Sequence, residues 1–296
     1  MSRPSPRTRL PRSTAGVALL LVGCLQAPAR GNGEAPSEGE RADATHDARE
    51  LGATSDASSP RPPSTSVGAT RDARDEAAPA RTGELRLLAV SGFENAVVAV
   101  PRQERAVPLL VATHGAGGDS RWECERWGRV ARGRWFVACP TGTPLRRGES
   151  GSYYYPDHPT LEREVLAVVS AVRESYGSRV SERDGVYLGF SQGATMGALM
   201  LVEHGAAFPH LVLIEGGSGD WTLKRAERFH ATGGQSVFIV CGTEPCARRA
   251  TTSVQTLERA GVRAVSRHAE GGGHTELGPV GSEAEQLLAT LAISGL

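Results

Sequence analysis

The sequence predicts an α/β domain from Gly83 to the C-terminus, built on a mostly parallel sheet with helices on both faces. Short runs of β-branched and apolar residues alternate there with longer amphipathic stretches. This alternation is typical of buried parallel strands joined by helices. The distribution of residue types along the chain predicts a single domain, and no internal repeat is visible in it.

Each expected element follows from its residues. Runs rich in Val, Leu, Ile and Ala, bounded by Gly, Pro or charged residues, predict eight strands: Leu85–Val90, Ala96–Val100, Pro108–Thr113, Trp135–Cys139, Gly185–Phe190, His210–Glu215, Val237–Cys241 and Arg263–His268. Amphipathic stretches between them predict six helices: Arg121–Arg132, Leu161–Tyr176, Gln192–His204, Leu223–Ala231, Ala247–Ala260 and Ser282–Ala292.

The first 23 residues have the pattern of a secretory signal peptide. Four arginines and no acidic residue precede the apolar run Ala15–Gly23, which is too short for a permanent membrane span. The run ends in Leu21-Val22-Gly23-Cys24, which resembles the bacterial lipobox, although an ordinary signal peptide containing a cysteine is the alternative. The resemblance implies cleavage before Cys24, lipidation of that cysteine, and export to a bacterial membrane with a lipid anchor.

Residues 24–82 are expected to be a disordered tether between the anchor and the domain. From Leu25 to Thr82 the large apolar residues are Leu25, Leu51 and Val67, and there is no Phe, Trp or Tyr. Such a segment cannot bury enough apolar surface to offset its conformational entropy. The predicted organisation is therefore signal peptide 1–23, tether 24–82 and catalytic domain 83–296.

The charge balance excludes one class of partner. The chain has 33 basic and 33 acidic residues and a formal net charge of zero. Nucleic-acid recognition needs a surplus of Lys and Arg, so we expect no nucleic-acid partner.

The sharpest motif is Gly189-Phe190-Ser191-Gln192-Gly193, which joins a predicted strand to a predicted helix. This is the context of a nucleophile elbow, in which a serine lies on a sharp turn whose glycines let strand and helix approach closely. The motif predicts Ser191 as a nucleophile. Together with the order of the motifs described below, it resembles the α/β-hydrolase superfamily, and the Gly-Phe-Ser-Gln-Gly residues resemble its phospholipase/carboxylesterase and dienelactone-hydrolase-like branches.

That resemblance covers about Leu85 to the C-terminus and implies an α/β-hydrolase fold, a serine esterase activity and no metal or cofactor. An oxyanion hole is then expected in the glycine-rich turn His114-Gly115-Ala116-Gly117-Gly118, because such a turn can present backbone N–H groups without side chains in the way. By position, the N–H groups of Ala116 and Gln192 are the donors. His114 is expected to be structural, and a merely tight turn is the alternative for the glycines.

The base and the acid are expected late in the chain, in the order nucleophile, acid, histidine. His274, in the glycine-rich loop after the last strand, fits the base, whereas His268 lies on the strand itself. For the acid, the loop after the strand before last offers Glu244, one residue earlier than the aspartate of the family pattern. Asp220, after the preceding strand, is the alternative.

The four cysteines of the domain predict two disulfides, as in other exported proteins. Cys124, near the start of a helix, and Cys139, at the end of the next strand, are expected at the same edge of the sheet. Cys241 and Cys246 bracket the loop of the expected acid. We therefore predict Cys124–Cys139 and Cys241–Cys246, with two pairs of buried thiols as the alternative. Neither spacing is that of a zinc site.

The predicted function is cleavage of carboxylic esters, small or polymeric, by an exported, membrane-anchored serine hydrolase. The longest segment between a strand and a helix, Thr141–His158, contains Tyr153-Tyr154-Tyr155 and is too short for a lid domain. The tyrosines are expected either to line a substrate pocket or to pack on the domain. A peptidase or amidase with the same triad, and an inactive surface-binding protein of the same fold, are the alternatives.

Overall fold

The computed structural model describes residues 83–146, 151–182 and 185–293. The predicted signal peptide, the lipidation site Cys24 and the predicted tether lie outside these residues. Strands and helices alternate along the described chain. The ten strands are β1 (Glu84–Leu88), β2 (Ala96–Val100), β3 (Leu109–Thr113), β4 (Phe136–Cys139), β5 (Thr143–Pro144), β6 (Tyr153–Tyr154), β7 (Val186–Phe190), β8 (His210–Ile214), β9 (Ser236–Cys241) and β10 (Arg263–His268).

Six α-helices connect these strands or follow them. They are α1 (Ser120–Ala131), α2 (His158–Tyr176), α3 (Gln192–Met200), α4 (Leu223–Ala231), α5 (Glu244–Arg259) and α6 (Gly278–Ile293). None of the helices in the described part of the chain combines the length and the hydropathy that crossing a bilayer requires.

Eight strands form one mostly parallel sheet, which confirms the predicted fold class. Its strand order is β1-β2-β4-β3-β7-β8-β9-β10. β2 is antiparallel to β1 and β4, and the other pairs are parallel. The carboxyl ends of β7, β8, β9 and β10 consequently lie side by side at one edge, where α/β sheets bind their ligands.

The core lies on both faces of the sheet because successive strand residues point to opposite sides. In β9, Val237 and Ile239 join one hydrophobic cluster, while Phe238 and Val240 join the other. Buried residues of α2, α3, α4 and α5 belong to the first cluster, and those of α1 and α6 belong to the second. The sheet is thus covered by helices on both faces, as predicted.

Two boundaries and one additional hairpin differ from the sequence-based expectation in ways that affect the site. β8 ends at Ile214, so Glu215 follows the strand. α5 begins at Glu244, after the N-cap Thr243 and with a proline in its first turn, where proline is well tolerated. The segment between β4 and α2 contains the hairpin β5–β6, which the sequence does not predict.

Candidate active site

Ser191 occupies a strained turn between β7 and α3. Its backbone has φ 50° and ψ −106°, and positive φ is uncommon for residues other than glycine. The two motif glycines are sterically required. A Cβ on Gly189 would lie 2.6 Å from the Ala194 nitrogen, and one on Gly193 would lie 2.4 Å from Thr113 Oγ1. The predicted nucleophile elbow is therefore present.

The imidazole of His274 lies directly against Ser191. Its Nε2 is 2.8 Å from Ser191 Oγ, a distance at which a base can accept the hydroxyl proton. The loop that carries His274 follows β10 and is fixed to the neighbouring strand end, because the N–H of Gly273 donates to the carbonyl of Gly242 at 3.0 Å. The side chain of His274 is 55% exposed, so solvent reaches the pair.

The carboxylate that contacts this imidazole is Glu215. Its Oε2 lies 3.0 Å from His274 Nδ1. Its Oε1 accepts hydrogen bonds from the N–H groups of Gly242 at 2.5 Å and Thr243 at 2.8 Å, and the Thr243 hydroxyl lies 3.0 Å from Oε2. The side chain is 2% exposed, and donors around both oxygens compensate for the burial of a carboxylate.

The structure corrects the predicted acid, since neither Glu244 nor Asp220 contacts His274 among the described residues. Glu244 begins α5, its side chain is 63% exposed, and it pairs with Arg248 one turn later at 3.3 Å. Asp220 lies just before α4, and its carbonyl accepts from Arg225 at 2.8 Å. Burial raises the pKa of the Asp220 carboxyl.

The reason for the correction is local. Thr243 occupies the N-cap position of α5, so Glu244 is the first residue of the helix and lies in its first turn. Glu215 has φ 52°, so the chain leaves the sheet at this residue instead of extending the strand. A single carboxylate at the end of an otherwise apolar strand, followed by Gly216-Gly217, was the signal in the sequence that could have identified it.

The two predicted oxyanion donors belong to segments that adjoin Ser191. Gln192 is the first residue of α3, where backbone N–H groups have no intrahelical acceptor. Gly115 precedes Ala116. A Cβ added to Gly115 would lie 3.1 Å from Ser191 Cβ, so the turn passes directly beside the serine. Within the described ranges, neither Ala116 nor Gln192 uses its backbone N–H in a hydrogen bond.

His114 has the structural position expected for it. Its side chain is buried, and its ring nitrogens lie 2.8 Å from the carbonyl of Gly115 and 3.1 Å from that of Thr141. Burial lowers its pKa. The ring also stacks on Tyr155 with 4.7 Å between the centroids. These contacts give His114 a packing role in the glycine-rich turn.

Both predicted disulfides are present. Cys124–Cys139 joins α1 to β4, with 5.7 Å between the Cα atoms. Cys241–Cys246 joins β9 to α5 with 5.5 Å between the Cα atoms and encloses Gly242 and Thr243, which hold Glu215. The loop that the second disulfide braces therefore serves Glu215 instead of Glu244.

The sulfurs of Cys241 and Cys246 and a carboxylate oxygen of Glu215 lie within 4.8 Å of one another. The two sulfurs are bonded to each other, whereas cysteine binds metals as a free thiolate. The chemistry of this cluster therefore fits a brace for Glu215 and does not fit a metal centre.

A pair of buried carboxyl groups, Glu123 and Glu276, involves the loop that carries His274. Glu276, two residues after His274, is 5% exposed, and Glu123 of α1 is fully buried. Burial raises the pKa of Glu276 to about 7. Burial and the neighbouring Glu276 also raise the pKa of Glu123, although Trp127 Nε1 donates to Glu123 Oε1 at 2.8 Å. The pair connects α1 with the loop that carries His274.

No protein-family model and no curated protein sequence matches the chain, whereas 891 chains of solved structures do. Among them, TT1662 from Thermus thermophilus has a TM-score of 0.55 at 14% identity and covers 71% of this chain and 98% of its own. A dienelactone hydrolase-like promiscuous phosphotriesterase from metagenomic libraries has a TM-score of 0.55 at 15% identity, covering 71% and 98%.

A third similar structure is esterase PE8, with a TM-score of 0.51 at 19% identity over 66% of this chain and 97% of its own. At these identities the likeness shows the fold. The described part of the chain therefore has an α/β-hydrolase fold.

Proposed function

We propose that this protein is a serine hydrolase that cleaves carboxylic esters through an acyl-enzyme. The observation that carries the proposal is the continuous set of contacts from Ser191 Oγ to His274 Nε2 at 2.8 Å and from His274 Nδ1 to Glu215 Oε2 at 3.0 Å. A nucleophile, a base and an orienting acid at these distances form a catalytic triad.

Each member has a defined step. Ser191 Oγ attacks the ester carbonyl carbon while His274 Nε2 takes the hydroxyl proton, and the N–H groups of Ala116 and Gln192 donate to the oxyanion. The imidazolium is held by Glu215 through Nδ1–H. Cleavage of the ester C–O bond releases the alcohol, which leaves with the proton from Nε2. Nε2 then takes a proton from water as the water oxygen attacks the acyl carbon, and the acyl C–O bond to Ser191 breaks while Nε2 returns the proton to Oγ.

The substrate proposal is a small or polymeric ester, because the site is open. The side chain of His274, which contacts Ser191, is 55% exposed. An open site accepts esters on bulky molecules, whereas small-molecule sites usually enclose most of the ligand.

The test is hydrolysis of p-nitrophenyl acetate and butyrate by the wild type and by Ser191→Ala. We expect a burst of p-nitrophenol and steady turnover that the variant loses by at least about 10³-fold. Equal slow rates for both proteins would reject catalysis and favour a binding protein. Faster turnover of matched p-nitroanilides than of the esters would favour an amidase.

Export and lipid anchoring through Cys24 are also part of the proposal. The two disulfides of the domain support an oxidising compartment, and the residues before Cys24 support a lipoprotein signal peptide. In a bacterial host, Cys24→Ser is expected to abolish incorporation of an alkynyl palmitate and to move the protein from the membrane fraction to the soluble fraction. Unchanged labelling would reject the anchor.

A further inference from the structure

The side chain of Gln192, next to the nucleophile, is bonded to the backbone of Tyr155 in both directions. Gln192 Oε1 accepts from the Tyr155 N–H at 2.9 Å, and Gln192 Nε2 donates to the Tyr155 carbonyl at 3.0 Å. The two residues are 37 positions apart in the chain. A primary amide can pair with a peptide unit in this way because it has one acceptor and one donor side.

Two residues earlier, the same segment pairs with the oxyanion turn. The N–H of Tyr153 donates to the carbonyl of Gly118 at 2.8 Å, and the carbonyl of Tyr153 accepts from the N–H of Gly117 at 2.7 Å. The hydroxyl of Ser152 donates to the carbonyl of Gly117 at 3.3 Å. Gly117 directly follows Ala116, the proposed oxyanion donor.

Tyr155 is itself fixed by several contacts, so the Tyr153–Tyr155 segment can hold the Gly117–Gly118 turn in place. Its side chain is fully buried, its hydroxyl donates to the carbonyl of Pro140 at 3.2 Å, and its ring stacks on His114. The path from Gln192 to Gly117 thus consists of one pair of side-chain-to-backbone bonds at Tyr155 and one pair of backbone bonds at Tyr153, joined by two peptide units.

We infer that the side chain of Gln192 is a positioning residue for the oxyanion hole and fixes the Ala116 N–H through the Tyr153–Tyr155 segment. Gln192 then acts twice, since its own backbone N–H is one donor and its side chain holds the turn that carries the other. This inference rests on the proposed esterase function. It also explains the amide at position 192: glutamate lacks the donor, and methionine of similar length lacks the strong donor and acceptor.

The experiment compares Gln192→Met with wild type on p-nitrophenyl butyrate. Loss of one oxyanion donor lowers kcat by about 10²- to 10³-fold, so a displaced donor is expected to lower kcat by about 10- to 100-fold. KM should change less than about twofold, because the interaction acts mainly in the transition state. Affinity for a trifluoromethyl ketone should fall in parallel with kcat/KM.

A matched control is Gln103→Met, whose side chain donates to the carbonyl of Gly133 at 2.6 Å, remote from Ser191 in sequence and on a different loop. We expect wild-type kcat for this variant. Tyr153→Pro removes the N–H that bonds Gly118, and its effect on kcat should be non-additive with that of Gln192→Met.

Hydrogen exchange provides a readout that does not need turnover. Gln192→Met should speed amide exchange at Gly117 and Tyr153, which lie in the paired segment. Amide exchange elsewhere and the Tm should change much less. Unchanged exchange at these amides would overturn the inference even if the wild type were inactive. Unchanged kcat in an active enzyme would also overturn it and leave the proposed function intact.

Discussion

One residue at the end of a strand provides the carboxylate that contacts His274. Ser191 and His274 were predictable because a strand–turn–helix motif and a glycine-rich loop after the last strand are visible in the sequence. Glu215 was missed because the predicted strand extended through it, whereas β8 ends at Ile214 and Glu215 takes φ 52°. Sequence patterns do not specify the backbone angle of one residue.

Replacing Glu215 by glutamine tests this assignment. The amide keeps the size of the side chain but does not stabilise the imidazolium, and the equivalent change in a serine triad lowers kcat by about 10⁴-fold. We expect kcat of Glu215→Gln on p-nitrophenyl butyrate to fall by about 10²- to 10⁴-fold. Rates are to be measured from about pH 6 to about pH 9.

Matched controls are Glu244→Gln and Asp220→Asn, the two acids expected from sequence. Glu244 is exposed and pairs with Arg248. Such surface ion pairs contribute about 0–1 kcal/mol to the free energy of unfolding. Both variants should keep kcat within about twofold. A larger loss in either than in Glu215→Gln would contradict the geometric assignment.

At the scale of elements, all eight strands of the main sheet were predictable, since buried parallel strands are continuous apolar runs. The hairpin β5–β6 was not predictable. Its strands have two residues each, and the bridge between Tyr153 and Gly118 holds them in place. Tertiary contacts, which a local pattern does not contain, form this element.

The disulfide between β9 and α5 gives a prediction for the loop at the end of β9. Cys241→Ala with Cys246→Ala frees Gly242 and Thr243, which donate to Glu215. We expect kcat to fall by about tenfold. The free energy of unfolding should fall by about 2 kcal/mol because the closed loop is short, as measured by urea denaturation.

The comparison is Cys124→Ala with Cys139→Ala, which opens the disulfide between α1 and β4. Its loop is longer, with a sequence separation of 15, so the loss of unfolding free energy should be larger, about 3 kcal/mol. Its kcat should stay within about twofold. Equal losses of kcat in the two double variants would refute a special role of the β9–α5 disulfide.

For the molecule as a whole, the Glu123–Glu276 pair predicts the pH dependence of stability. The folded state raises the pKa of Glu276 from 4.5 to about 7, so it binds this proton more tightly than the unfolded chain does. The free energy of unfolding therefore falls as the pH rises from about 4.5 to about 7, by roughly 3 kcal/mol at most for this group.

Glu276→Gln removes this titration and keeps a polar side chain of the same size. Relative to wild type, we expect it to raise the Tm at about pH 8 and to leave it nearly unchanged at about pH 4. Glu258→Gln, an exposed position on α5, serves as the control with parallel curves. Parallel curves for Glu276→Gln as well would show that the pair does not control stability.

The order of the strands also has a consequence for how the proposed active site can evolve. Ser191, Glu215, Thr243 and His274 follow β7, β8, β9 and β10, which are neighbours in the sheet, and the Thr243 hydroxyl already touches the Glu215 carboxylate at 3.0 Å. An aspartate at position 243 would therefore approach the same imidazole. If Thr243→Asp restores part of the activity lost in Glu215→Gln, the acid can move by one strand through an ancestor that carries both carboxylates, without an inactive intermediate.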